Sequence, residues 1–259
     1  MDYTPKKLYY LIGGLVLVAI FLVSVVLFTG DVTENEKDKK STIISECPSQ
    51  ITYQGVVYRA VEIGGKCWMA DNLKAFLYRD GTPIDNLLLS GDWAEAEEGA
   101  YACYYNDERF CNSHGALYNW YAVNSQTGLC PEGWRVPRHE HWVELEIAVC
   151  QDLGYEDCQE QFPMEFVSGW RGTDEGWHLL SPELIGHNKY GFHALFGGFR
   201  NAAGPFMLLE EEGKESGFWW TASDEEEGAY GRVLATTEKR IRWVASSKSS
   251  GFSVRCIMD

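Results

Sequence analysis

The sequence predicts an α+β domain with few regular elements and long loops, preceded by one N-terminal transmembrane helix. Three observations carry that reading. The run Leu8–Phe28 holds 21 residues without a charge, which at about 1.5 Å per residue is enough to span a bilayer core. Helical periodicity is clear in only one later segment, whereas short apolar stretches punctuated by many of the 26 glycines recur through the rest. Eight cysteines, all beyond residue 46, contain no C-x-x-C pair. They read as disulfides of an exported domain rather than as zinc ligands.

The elements follow in chain order. Lys6 and Lys7 precede the apolar run, and Asp31, Glu34 and Glu36 follow it. By the positive-inside rule, residues 1–7 are then a short cytoplasmic tail, 8–28 the anchor, and everything later lies outside. A cleaved signal peptide is the rival reading, but its apolar stretch is usually about 7–15 residues, and Phe28-Thr29-Gly30 is a poor cleavage site. Residues 29–46 are polar and lack aromatics, as a flexible linker would. Residues 47–259 then form one extracytoplasmic domain. Strands are expected at Val56–Ile63, Ala100–Tyr105, Phe218–Ser223, Arg240–Ala245 and Phe252–Ile257. A short helix is expected around Ala116–Val123. The clearest helix follows Pro137, with Trp142, Leu145 and Val149 on one face.

Charge narrows the function classes. There are 38 acidic and 22 basic residues, a net of −16. Residues 1–30 hold only Lys6, Lys7 and Asp2, so the remainder carries −17. That balance excludes a nucleic-acid partner, which needs a basic face, and 14% aromatic residues exclude a disordered chain. The acidic runs 95–98, 210–212 and 224–227 could gather calcium through hard oxygen ligands, but none has the alternating ligands and fixed glycine of a calcium loop. A solvated acidic face is expected there and no cofactor, with calcium the one ion left open. His139 and His141, two apart on the expected helix, point about 200° apart and cannot share a metal. His178, His187 and His193 are scattered in loop-like sequence. No nucleophile elbow, P-loop or dinucleotide fingerprint occurs, so no catalytic residue is assigned.

Among the many connectivities that eight cysteines allow, Cys103–Cys111 and Cys150–Cys158 are local pairs, each eight residues apart. Cys130 with Cys256 would tie the middle of the domain to its last strand, and Cys47 with Cys67 remain. Buried free thiols are the alternative. Trp134, Trp142, Trp219 and Trp220 lie in or beside expected regular structure and suit a core. Trp93, Trp170 and Trp177 lie in glycine-rich polar segments and are the candidate ligand-binding residues, through stacking or anchoring. The alternative is that they pin long loops to the core.

Six ordered strings are distinctive: Ile63–Leu73 (IGGKCWMADNL), Gly115–Val123 (GALYNWYAV), Cys130–Pro137 (CPEGWRVP), Gly191–Arg200 (GFHALFGGFR), Phe218–Ser223 (FWWTAS) and Ser253–Cys256 (SVRC). In this order they resemble the Fibrobacter succinogenes major paralogous domain, a bacterial extracytoplasmic family, from about Tyr58 to Asp259. The strings around Gly133–Pro137 and Trp220–Asp224, and the ending Gly251-Phe252…Arg255, are distantly similar to the formylglycine-generating and sulfatase-modifying enzymes. That likeness implies a C-type-lectin-like fold. It also implies a copper-binding cysteine pair before the final strand, yet no cysteine lies between Cys158 and Cys256. A C-type lectin would hold calcium with Glu-Pro-Asn or Gln-Pro-Asp, and neither is present. The expectation is therefore a non-catalytic, membrane-anchored protein that binds another envelope protein or a surface polymer, or is a subunit of an envelope complex, with a carbohydrate-binding module as the alternative and an enzyme of the formylglycine-generating type as the third reading.

Overall fold

The computed structural model describes residues 46–207 and 216–259. The expected tail 1–7, the anchor 8–28, all but the last residue of the linker 29–46 and the run 210–212 lie outside the described residues. Among the described residues, no helix is long and apolar enough to cross a membrane. Cys47–Asp259 pack as one unit.

The strands are β1 Gln50–Tyr53, β2 Val56–Ile63, β3 Lys66–Met69, β4 Asp85–Asn86, β5 Ala100–Ala102, β6 Leu117–Tyr118, β7 Trp134–Arg135, β8 Gly169–Arg171, β9 Ser216–Asp224, β10 Ala229–Ala235, β11 Glu238–Ser246 and β12 Ile257–Met258. The helices are α1 Ser90–Ala94, α2 Glu108–His114, α3 Trp120–Val123, α4 His139–Asp152, α5 Cys158–Gln161 and α6 Glu175–Leu179. Antiparallel β1-β2-β3-β12-β7 and β8-β11-β10-β9 are the two larger sheets, and β4-β5-β6 is a small third. The domain is a mixed α and β structure in which sheets carry most of the regular backbone.

Two cores result from strand alternation, which sends neighbouring side chains to opposite faces. On β3, Cys67 and Met69 enter one core with Tyr58, Tyr118, Trp134 and Phe252, while Trp68 enters the other with Trp142, Leu145 and Val149. On β9, Trp220 joins the first core and Trp219 the second. Trp68 and Trp142 meet edge to face at 5.1 Å. Four disulfides join Cys47–Cys67, Cys103–Cys111, Cys130–Cys256 and Cys150–Cys158, the four candidate pairs named above, two of them suggested by their short spacing.

Several expected elements hold and others are redrawn. The helix after Pro137 is α4, and Trp142, Leu145 and Val149 are buried on it. Val56–Ile63 is β2, and the segments Phe218–Ser223 and Arg240–Ala245 lie inside β9 and β11. The expected Ala116–Val123 helix shortens to α3. Leu117 and Tyr118 pair with Ala102 and Tyr101, so the helix can begin only where the Asn119 side-chain Oδ1 accepts from Ala122 N–H. The strand expected over Ala100–Tyr105 stops at Ala102, because Tyr105 turns left-handed (φ 55°). The strand expected over Phe252–Ile257 is broken into single bridges, Phe252 to Tyr118 and Ser253 to Trp219, before β12. Its Arg255 is turned inward and spends its guanidinium on distant carbonyls.

The second core holds a buried ion pair. Arg232 on β10 donates to Glu146 on α4 at 2.5 Å, with both side chains fully buried. Trp243 Nε1 donates to the other Glu146 oxygen at 3.0 Å, and the Arg232 guanidinium lies 4.5 Å from the Trp243 ring. Removing one partner of such a pair strands the other charge. Glu146→Leu should therefore cost about 3–5 kcal/mol in urea unfolding, and adding Arg232→Met should restore much of it. A second test uses pH. Burial and the nearby Arg232 charge push the His139 imidazole down to about 4. The unfolded chain then binds a proton below pH 6.5 that the folded one refuses. Stability is complete above pH 6.5 and falls as pH drops toward 4, by about 3 kcal/mol. The slope of unfolding free energy over that window should flatten in His139→Gln.

Candidate functional site

The site is built around one buried amide. Asn72 follows β3, and both of its side-chain atoms are fully used. Nδ2 donates to the carbonyls of His114 and Leu195, each at 2.8 Å. Oδ1 accepts from Trp219 Nε1 at 2.9 Å and from Arg255 Nε at 3.0 Å. Five chain segments thus meet at one side chain. Two glycines permit this approach. A Cβ on Gly115, whose φ is +86°, would sit 2.6 Å from Asn72 Cβ, and one on Gly197 would sit 2.4 Å from Ser253 Oγ.

Above this junction opens a cavity of about 560 Å³. Its floor and walls include Tyr58, Arg59, Asp71, Asn72, Lys74, His114, Glu183, His193 and Arg255. Arg59 and Asp71 close on each other. The Arg59 guanidinium forks onto both carboxylate oxygens, and Arg59 N–H adds a bond at 2.7 Å. Burial pushes the Asp71 carboxyl up, but these bonds outweigh it and hold it below its ordinary range. Arg255 is fully buried, and donates to Asn72 and to the carbonyls of Phe192 and His193. Burial lowers its guanidinium to about 9, so it stays charged at neutral pH.

The histidines of the cavity have defined tautomers. Arg59 Nη2 can only donate, so His193 Nδ1 accepts at 3.3 Å, and its Nε2–H faces Ser181 Oγ at 3.3 Å. Ser113 Oγ donates to the Arg109 carbonyl at 2.7 Å, so His114 Nδ1–H donates to Ser113 at 2.7 Å. In both pairs the imidazole gives a proton to the hydroxyl, the reverse of a base activating a serine nucleophile. Ser181 is fully buried and accepts from Glu183 N–H at the start of a 3₁₀ turn. Burial lowers both imidazoles, aided at His193 by Arg59 and Arg255. His193 also sits at φ 51°, a left-handed position rare outside glycine and asparagine, fixed by Asn188 and Arg255.

The tryptophans singled out from sequence are placed elsewhere. Trp93 is fully buried, its Nε1 donates to Ser249 at 2.6 Å, and Arg200 lies 4.3 Å over its ring. With no free face it pins a loop and cannot stack on a ligand. Trp170 lies half-buried on edge strand β8, with Arg242 5.9 Å away. Trp177 on α6 carries Lys239 4.3 Å over its ring. Neither lines the cavity. His178 and His187 come together, Nδ1 to Nδ1 at 3.4 Å, yet no group of three His, Cys, Asp or Glu side chains among the described residues could hold a metal ion. Sequence reasoning missed the cavity's charges. The signal available was the strings themselves, since Asp71, Asn72, Gly115, His193, Leu195 and Arg255 all belong to them.

The Fibrobacter succinogenes major domain model matches residues 61–258. The chain belongs to that family. No curated protein and no solved structure matches it significantly. The family strings and the cavity coincide, so in this member of the Fibrobacter succinogenes major domain family they frame one place in the fold. Replacing Asn72 by Ala should strand two carbonyls, an indole N–H and a buried guanidinium. We expect a loss of about 3 kcal/mol or more in urea unfolding, whereas Lys74→Gln at the cavity wall should leave stability within about 0.5 kcal/mol of the parent.

Proposed function

We propose that this chain is a non-catalytic, membrane-anchored extracytoplasmic binding protein, whose C-type-lectin-like domain holds a partner protein or a surface polymer in the cavity above Asn72. The observation that carries the reading is the meeting of the strings. Residues from four of them line one open polar cavity, and a fifth supplies Trp219 beneath it. A cavity of this size lies within the range of ligand pockets, roughly 300–1,000 Å³. Four disulfides support an oxidising compartment, and the uncharged run Leu8–Phe28 supports an anchor. The reversed Ser–His polarity supports binding rather than hydrolysis.

The test uses Val57, which stands 57% exposed at the cavity rim, and Met164, 56% exposed and outside the lining. A photo-crosslinking residue at Val57 in cells should yield a discrete adduct that the same residue at Met164 does not. Identical patterns at both positions, or no adduct at Val57, would rule the reading out.

A further inference from the structure

The cavity carries a charge imbalance opposite in sign to the rest of the domain. Beyond residue 30 the chain has a net charge of −17. Five formally charged side chains line the cavity: Arg59, Asp71, Lys74, Glu183 and Arg255. The Arg59–Asp71 pair neutralises itself, since both carboxylate oxygens are taken by Arg59. Two cations and one carboxylate remain. Lys74 Nζ donates to the Asn112 carbonyl at 3.0 Å and touches no carboxylate among the described residues. Arg255 beneath the floor is held by Asn72 and two carbonyls, again with no carboxylate of its own. Glu183 stands exposed at the edge, its carboxylate without a hydrogen bond or ion pair among the described residues.

Building on the binding function proposed above, we infer that the cavity captures the free C-terminal carboxylate of a peptide chain. Lys74 pairs with the carboxylate directly, and Arg255 supplies a second positive charge from below without contact. Arg255 is fully buried, so solvent screens its charge less than that of a surface cation. The walls fit a peptide better than a sugar acid. No tryptophan lines the cavity, and Tyr58 is fully buried with its hydroxyl bonded to Lys74 N–H, so no tryptophan or tyrosine face is offered to a pyranose. Exposed Val57 and half-buried Leu195 offer apolar wall for a terminal side chain. Exposed Asn112 and Glu183 stand where peptide N–H and C=O groups can be met. The surrounding acidic surface repels a bare polyanion, so a single carboxylate on an otherwise neutral or basic chain is the form admitted.

The full chain in detergent micelles is tested with three probes. These are a pool of N-acetylated tripeptides as free acids, the same pool as C-terminal amides, and oligoglucuronate. Retained species are counted by mass spectrometry. Free acids should be retained about tenfold over amides. Lys74→Gln should remove about tenfold of that retention with an unchanged thermal midpoint, and Lys74→Arg should keep it. Glu183→Gln, which removes the like charge, should strengthen it. Equal retention of acids and amides would overturn carboxylate capture and leave the binding reading standing. Retention of oligoglucuronate without peptides would overturn it in favour of a polysaccharide in the same cavity. Retention of none of the three, with the Val57 adduct still formed, would also overturn it, whereas a silent Val57 position would remove the binding reading itself.

Discussion

Asn72 is the constraint on which the cavity and much of the packing rest. A primary amide offers two donors and an acceptor with two lone pairs, and here all four are used within one buried volume. The partners come from α2, the loop before β9, β9 itself and the segment leading to β12. No hydrophobic contact could do the same, because apolar packing is non-directional, while four bonds from one planar group fix both distance and angle. The amide locks the floor and the two cores pack around it. Glycine at 115 and 197 is the steric condition for that lock.

Three fully buried arginines give the interior an unusual electrostatic character. Arg232 is neutralised by Glu146, but Arg200 and Arg255 are not paired with carboxylates among the described residues. Arg200 donates to carbonyls of residues 87–89 and Gly204 and lies over Trp93 and Phe206. Arg255 lies 4.3 Å from the Phe192 ring. Aligned carbonyl oxygens and aromatic faces stand in for counter-ions in both places. In a chain with a net charge of −16, the long-range field further favours a cation inside. The aromatic richness visible in the composition is thus partly explained by the arginines it solvates.

Much of the fold was legible because its signals are local. The helix α4 announced itself through Pro137 and the spacing of Trp142, Leu145 and Val149, and β2 through a run bounded by glycines. The cavity was not legible in that way, because its geometry is set by pairs far apart in sequence. Asn72 and Arg255 are 183 residues apart, and Asn72 and Trp219 are 147 apart. No spacing rule reaches across such gaps. The same cause left Trp93 open between a ligand-binding ring and a pin for its loop. Its segment is glycine-rich and polar, and Ser249 and Arg200, both distant in sequence, enclose it as a pin. The last segment was read as a strand because its apolar alternation is real, while the inward turn of Arg255 depends on an amide that lies near the start of the domain.

The span of these contacts bears on how the domain comes into being. The disulfide Cys130–Cys256 closes a separation of 126 residues, and the Asn72–Arg255 bond a longer one. Loop-closure entropy must be met before such contacts stabilise anything, so topologies of this kind fold slowly. The cavity has no early, partial version: until Arg255 has docked on Asn72, the floor and half its positive charge are missing. In the binding function proposed here, ligand recognition would therefore be a late event in folding, and a chain that held ligand would already have passed its own assembly test.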